Sequence, residues 1–473
     1  LASTPSRSCR SPRPRATATG DTTASTSTPP APTTAARRPS SGSSTPPTSA
    51  ASACCWTSST TTSGPEGNYL AQFGPYFNPA HETPWGPAVN LDGEHSRPVR
   101  DFLLGNARQW LVDFGLDGLR LDAVHALVDD SDRHFLAELS DATAAWAAEI
   151  GKPLSLIAES DLNQPAMVSP VGSTPDAVGM TMQWDDDVHH SLHAFLTGER
   201  QGYYVDFGTA ETVKTALTRV FVHDGGWSAF RGKPWGAPVD ASGEHYDGHS
   251  FVVFLQDHDQ VGNRAAGDRI GRTVAAGVQA AGAALYLLSA FTPMIFMGEE
   301  WDATAPFPYF CDMGPELAPL VTQGRKDEFA DTGWADDVPD PEDPKTFDSA
   351  KLDWAEREDP DHARMLDWYA TLIRLRHEIP ELADADLSKV EVTVVDDDTV
   401  ILHRGSVAVL ASKADGPVEV DLTDADGEGP RRLEILASWT PTKVDKAAVA
   451  FQGPGAVVVK RSPGLSRRVR SGA

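Results

Sequence analysis

The chain has 473 residues, long enough for two or three domains with a large core. Its net charge of −27 repels phosphate backbones, which argues against nucleic acid as a partner, while a neutral sugar meets no such barrier. No run of 18 apolar residues occurs, so no membrane partner is expected.

The first residues lack a charged stretch followed by an apolar one, so no secretory signal is expected. Cys9, Cys54 and Cys55 cluster near the start and Cys311 stands alone in the remainder. A lone thiol forms no intrachain disulfide, and a cytoplasmic location follows as the simple expectation.

Residues 1–63 contain no Val, Ile, Met, Phe or Tyr. They carry six Arg and one acid, leaving 34 basic and 66 acidic side chains for the rest of the chain. So little apolar surface cannot offset chain entropy, and a disordered low-complexity tail is one expectation. The genetic code supplies another. Suppose each codon here holds the last two bases of a true codon and the first base of the next. Because Trp56 has a single codon, positions 55, 56 and 57 are then forced to Leu, Leu and Asp. The next two positions become apolar when the serine codons begin TC, and the following three each become Tyr, His, Asn or Asp. The stretch CCWTSSTTTS is thus compatible with VLLDVVYNHL. We read residues 1–63 as translated one base out of register.

From Gly64 onward, apolar runs alternate with helical stretches, as in a parallel sheet wrapped by helices. Strands are predicted over Gly118–Ala123, Leu154–Ala158, Gly179–Gln183, Phe251–Gln256 and Pro293–Met297. Amphipathic spacing predicts helices over Val99–Phe114 and His134–Ile150. Residues 320–350, rich in Pro and Asp, read as a long loop. After Pro380 short alternating runs, from VEVTVV to AVVVK, predict a small all-β domain. The end of the chain reads as a loose basic tail.

Several predicted strands run into charged residues, and in a (β/α)8 barrel the carboxyl strand ends line the active site. Arg120 and Asp122 are two apart in GLRLDAVH and share a strand face, with His125 just beyond. Glu159 follows LSLIA, and His258 and Asp259 follow FVVFLQ. Three such carboxylates suit glycosidic cleavage: one attacks the anomeric carbon, one protonates the leaving oxygen and one grips sugar hydroxyls. Arg120 would hold Asp122 ionised, and a drier setting would let Glu159 keep its proton. Any one of these acids reads equally well as a surface group. Three strand ends with an Arg and two His do not.

GLRLDAVH, LIAESD and FLQDHDQVGNR resemble the second, third and fourth signature regions of the α-amylase family of retaining glycoside hydrolases. The resemblance implies an α/β fold, a (β/α)8 barrel followed by a small all-β domain. It implies Asp122 as nucleophile, Glu159 as general acid/base and Asp259 as transition-state stabiliser. Arg120, His125 and His258 match the companions that orient the nucleophile and bind hydroxyls. Asp257 stands where the family usually has Asn, and its charge is expected to raise the pKa of His258.

Four longer stretches, GPEGNYLAQFGPYF, QWDDDVHHSLHAFLTGERQGYY, TPMIFMGEEW and VPDPEDPKTFDSAKLDW, resemble the trehalose-releasing branch of that family. That branch implies maltooligosyltrehalose and maltooligosaccharides as partners. Its reaction is hydrolysis of the α-1,4 bond next to the terminal trehalose. The alternatives are a glucan-branching enzyme of the same family and an inactive remnant. Trp184 and Asp186 are placed in the sugar subsites, together with His189 and His190. A metal at that His pair lacks a third suitably spaced ligand. No cofactor or metal is implied, because two carboxylates and water suffice for retaining hydrolysis.

The family's first signature region has a strand, then Asp, two hydrophobics, a variable residue, Asn and His. The shifted wording at 54–63 matches it. The resulting division is a frameshifted, disordered leader over 1–63, a catalytic barrel portion over 64–380, a β-sandwich over 381–462 and a tail over 463–473. A glycan-binding N-terminal β domain, which the family implies, has no counterpart in the text. The first barrel strands are expected to be lost, with 1–63 extended and unpacked and the chain weakly active.

Overall fold

A computed structural model describes residues 55–58, 68–83, 86–329, 338–423 and 432–462. Most of the leader and the tail lie outside these residues. The chain forms two compact units, Leu1–Trp184 with Tyr309–Phe347 and Asp185–Pro308 with Asp348–Ala473.

In the first unit, β1 (Cys55–Ser58) is followed by an antiparallel hairpin, β2 (Phe77–Thr83) and β3 (Gly86–Val89). Three further strands are β4 (Gly118–Leu121), β5 (Ser155–Ala158) and β6 (Met182–Trp184). β1, β4, β5 and β6 pair in that order, all parallel. All four residues of β4 are buried, as expected of a parallel strand covered on both faces.

The helix Phe135–Ile150 crosses between β4 and β5. It starts where the His134 ring accepts from Leu136 N at 3.1 Å and stops at Gly151, whose φ of 65° suits a residue without Cβ. Its Phe135, Leu136 and Leu139 join Leu119, Leu121 and Leu156 in one apolar core.

Two expectations are corrected here. Cys55–Ser58 are not unpaired: they pair with β4, Trp56 opposite Leu119 and Thr57 opposite Arg120. Strand pairing uses backbone N–H and C=O groups, and an open sheet edge accepts a segment whatever its side chains. Residues 320–350 are not one long loop. They contain helices over Ala318–Glu328 and Pro344–Ser349, the first rich in the good helix formers Gln, Arg, Lys and Glu.

In the second unit a small antiparallel hairpin, β7 (Trp227–Ser228) and β8 (Lys233–Pro234), precedes the parallel pair β9 (Phe251–Val253) and β10 (Thr292–Pro293). The chain then enters an antiparallel sheet. Its strands are β11 (Val390–Val394), β12 (Thr399–Arg404), β13 (Val407–Asp421), β14 (Arg432–Ser438), β15 (Thr442–Asp445) and β16 (Ala448–Ser462). The order is β11-β12-β13-β16-β14, with β15 on β16. β13 and β16 shift register between Ser412 and Gly416, and one apolar core takes Leu410 and Val457 from one side of the shift and Val418 and Phe451 from the other. Among the described residues no helix is long and apolar enough to cross a membrane.

The helix Ala276–Leu287 is buried along almost its whole length, as its Ala-rich sequence requires of a helix with no polar face. Beside it lies a buried acid. Glu299 accepts from Tyr286 Oη at 2.7 Å, Tyr369 Oη at 2.9 Å and Gln256 Nε2 at 3.1 Å. Burial outweighs these bonds and pushes its carboxyl up to about 7. Between the ordinary value of 4.5 and about 7 the folded chain keeps a proton that the unfolded chain releases, so stability falls as pH rises through that window. Glu299→Gln is expected to remove this slope, on the order of 3 kcal/mol between pH 4.5 and 7.5. Urea unfolding of both proteins across that range measures it; parallel curves would contradict the expectation.

Candidate active site

The candidate residues fall into two groups, one in each unit. In the first, β4 runs straight into Asp122, whose side chain is fully buried. A buried carboxylate needs a partner, and Arg120, two residues back on the same strand face, supplies it through Nη1. The other terminal guanidinium nitrogen, Nη2, lies 3.5 Å from Glu159 Oε2. One arginine thus serves two acids from adjacent strands.

The end of β5 holds Glu159 in place. Its N donates to Leu121 O at 2.9 Å, and its own O accepts from Val124 N at 3.1 Å. Ala123 takes a left-handed conformation, φ 44°, and its N donates to Glu159 Oε2. A left-handed alanine costs about 1–2 kcal/mol, and the turn just after Asp122 is held there by tertiary bonds. Glu159 is partly exposed, at 15 %, where Asp122 is not. The guanidinium of Arg120 sits 4.5 Å over the ring of Trp184, itself buried, so this Trp presents one face to the arginine. His125 lies on the short turn Val124–Ala126, with Nδ1 3.9 Å from Asp161.

In the second unit His258 and Asp259 open the short helix His258–Gly262, with His258 Nε2 3.5 Å from Asp259 Oδ2. Asp257 caps this helix, its Oδ1 accepting from Gln260 N at 2.6 Å. Asn and Asp are equally good caps, so the structure gives a reason why Asp serves where the family usually has Asn. Asp186 lies in the first turn of the helix Asp186–Thr197, which Asp185 caps by accepting from Asp187 N and Val188 N.

His189 is a structural residue. Its Nδ1 meets Leu255 O at 2.8 Å and its Nε2 meets Tyr204 Oη at 3.0 Å, leaving no ring nitrogen for a sugar or a metal. Its neighbour His190 is pushed down to about 3 by burial and is therefore neutral, stacked on Tyr203 with ring centroids 4.9 Å apart. Asp187 accepts from Val222 N and His223 N, and His223 also reaches Asp206 at 3.1 Å.

One group escaped sequence reasoning. The β7–β8 hairpin carries Trp227, 65 % exposed, and Phe230, whose edge meets Tyr203 at 6.1 Å. Arg231 lies 4.5 Å over the Trp235 ring. Tyr203 lies within electrostatic reach of Asp257 and Asp186. Exposed aromatic rings with an apolar face and a polar edge are suited to interfaces. The signal was present in GGWSAFRGKPWG, where glycines bracket three aromatics and two cations.

No family model matches the chain. A curated malto-oligosyltrehalose trehalohydrolase from Arthrobacter ramosus is 43% identical over 84% of this chain and 66% of its own length. One from Rhizobium sp. (strain M-11) is 45% identical, with 84% and 65% covered. Among solved structures, a protein from Salmonella typhimurium assigned to the α-amylases superposes with a TM-score of 0.74 at 30% identity, over 85% of this chain and 67% of that one. The chain belongs to the α-amylase family. It spans slightly under two thirds of the length of the curated relatives it matches. With the family established, the parallel strands are part of its (β/α)8 barrel, which is not closed among the described residues, and the antiparallel sheet is its C-terminal domain.

Proposed function

We propose that the chain is a retaining glycoside hydrolase that cuts the α-1,4 bond next to the trehalose end of maltooligosyltrehalose, in trehalose biosynthesis in the cytoplasm. Asp122 attacks the anomeric carbon and Glu159 protonates the leaving trehalose. Glu159 then takes a proton from the water that releases the shortened maltooligosaccharide. Asp259 stabilises the oxocarbenium-like transition state, a role that rests on its sequence motif. Arg120 keeps Asp122 oriented, and His125, His258, Trp184 and Asp186 are assigned to sugar binding, a role that rests on their sequence motifs. The exposed rings of the β7–β8 hairpin are suited to stacking on glucose units. The catalytic portion is assigned to 64–380 and the small β domain to 381–462.

The observation that carries this reading is one buried arginine shared by Asp122 and Glu159 at adjacent strand ends, in a chain over 40% identical to proteins named for this hydrolysis. Chromatography of products from a frame-restored chain tests it. Free trehalose from maltooligosyltrehalose is expected, with no change to amylose branching. New α-1,6 branches on amylose, without trehalose, would favour the branching enzyme instead.

A further inference from the structure

Away from the catalytic residues, three side chains from separate parts of the first unit converge. His81 lies on β2, Asp92 follows β3, and Asp130 lies in the turn before the helix Phe135–Ile150. One ligand atom from each lies within 4.8 Å of the others. His81 Nε2 is 2.8 Å from Asp92 Oδ2 and 3.9 Å from Asp130 Oδ2. We propose that His81, Asp92 and Asp130 bind a single zinc ion, which ties the β2–β3 hairpin to the 129–133 turn.

The donor set selects the cation. One imidazole nitrogen and two carboxylate oxygens suit zinc, whereas calcium asks for six to eight oxygens and magnesium for near-octahedral oxygen geometry. Zinc bonds of about 2.0–2.1 Å place tetrahedral ligand atoms roughly 3.3 Å apart. The distances from His81 Nε2, 2.8 and 3.9 Å, fall on either side of that separation, and all three ligand atoms lie within 4.8 Å of one another, so inward movement of the Asp130 side chain closes the site. The proton now shared between His81 and Asp92 leaves to solvent or moves to Nδ1 as the metal binds, and water fills the fourth position.

The scaffold behind these ligands is already built. Asn78 Nδ2 donates to Asp92 Oδ1 at 2.8 Å, and Asp130 N donates to Asp92 Oδ2 at 3.0 Å. The buried guanidinium of Arg100 grips the neighbours of both acids, Leu91 O at 2.7 Å and Asp129 Oδ2 at 2.5 Å, and reaches Arg133 O at 3.2 Å. A carboxylate whose orientation is fixed by outer partners is ready to ligate. Asp130 is 81 % exposed, so it has freedom to swing inward.

The test uses the untagged, chelator-treated full chain and needs no catalytic activity. Titration with zinc chloride in a calorimeter is expected to show one site with a dissociation constant on the order of micromolar. Asp130→Asn, a change at an exposed side chain that leaves the fold intact, is expected to weaken binding about tenfold, and His81→Ala about a hundredfold or more. Cobalt(II) is expected to give tetrahedral d–d bands without thiolate charge transfer. Absence of binding at about 100-fold that concentration, affinity unmoved by both substitutions, or a cobalt spectrum dominated by cysteine thiolate would each overturn the proposal.

Discussion

Asp122→Asn in a frame-restored chain is expected to lower kcat for trehalose release by on the order of 10⁴-fold, with KM little changed. Asparagine fills the same volume and still accepts from Arg120, but it cannot form the glycosyl ester on which retention depends. Because Asp122 is fully buried against Arg120, the substitution also strands part of a buried positive charge. A melting curve must therefore accompany the kinetics, since breaking a buried pair costs about 3–5 kcal/mol. Glu159 lies 3.5 Å from the same guanidinium and limits that loss. A folded Asp122→Asn protein with kcat reduced less than about tenfold would remove Asp122 from the attack.

The second large effect concerns residues 1–63. Moving the reading frame upstream of Gly64 by one base is expected to convert a weakly active chain with a broad melt into a cooperatively folding enzyme. We expect at least a hundredfold gain in trehalose release, on the order of one removed transition-state contact or more. The pairing of Cys55–Ser58 with Gly118–Leu121 sharpens the argument. In the shifted frame, Leu, Leu and Asp occupy positions 55–57, and position 57 is the one opposite Arg120. On the shifted-frame proposal, the strand paired with Gly118–Leu121 carries Leu, Leu and Asp in place of Cys, Trp and Thr. Side-by-side activity and calorimetric melts of the two chains decide it. Equal activity and equally sharp transitions would mean that 1–63 is a genuine segment.

How far the sequence spoke depended on which force fixed each feature. β4 and β5 were legible within a residue or two, because GLRL and SLIA are apolar runs closed by charged residues. β6 was expected over Gly179–Gln183 and lies at Met182–Trp184, and β9 and β10 are shorter than their apolar runs. Apolar runs mark burial, whereas strand ends are set by where backbone partners stop, and Met294 N already closes onto Val253 O at 2.8 Å. The partnership of Arg120 and Asp122 was readable from their spacing of two on one face. The reach of Arg120 to Glu159 was not, because it depends on the pairing of β4 with β5 and on the left-handed turn at Ala123. His189 was placed near sugar on its sequence neighbourhood, and only tertiary contacts with Leu255 and Tyr204 show it to be part of the core.

Proton NMR of the first products formed from maltotriosyltrehalose by the frame-restored chain bears most directly on the account. Two displacements, the first by Asp122, predict free trehalose together with maltotriose that appears as its α-anomer before mutarotation. Maltotriose released first as the β-anomer, or turnover without trehalose, would contradict it.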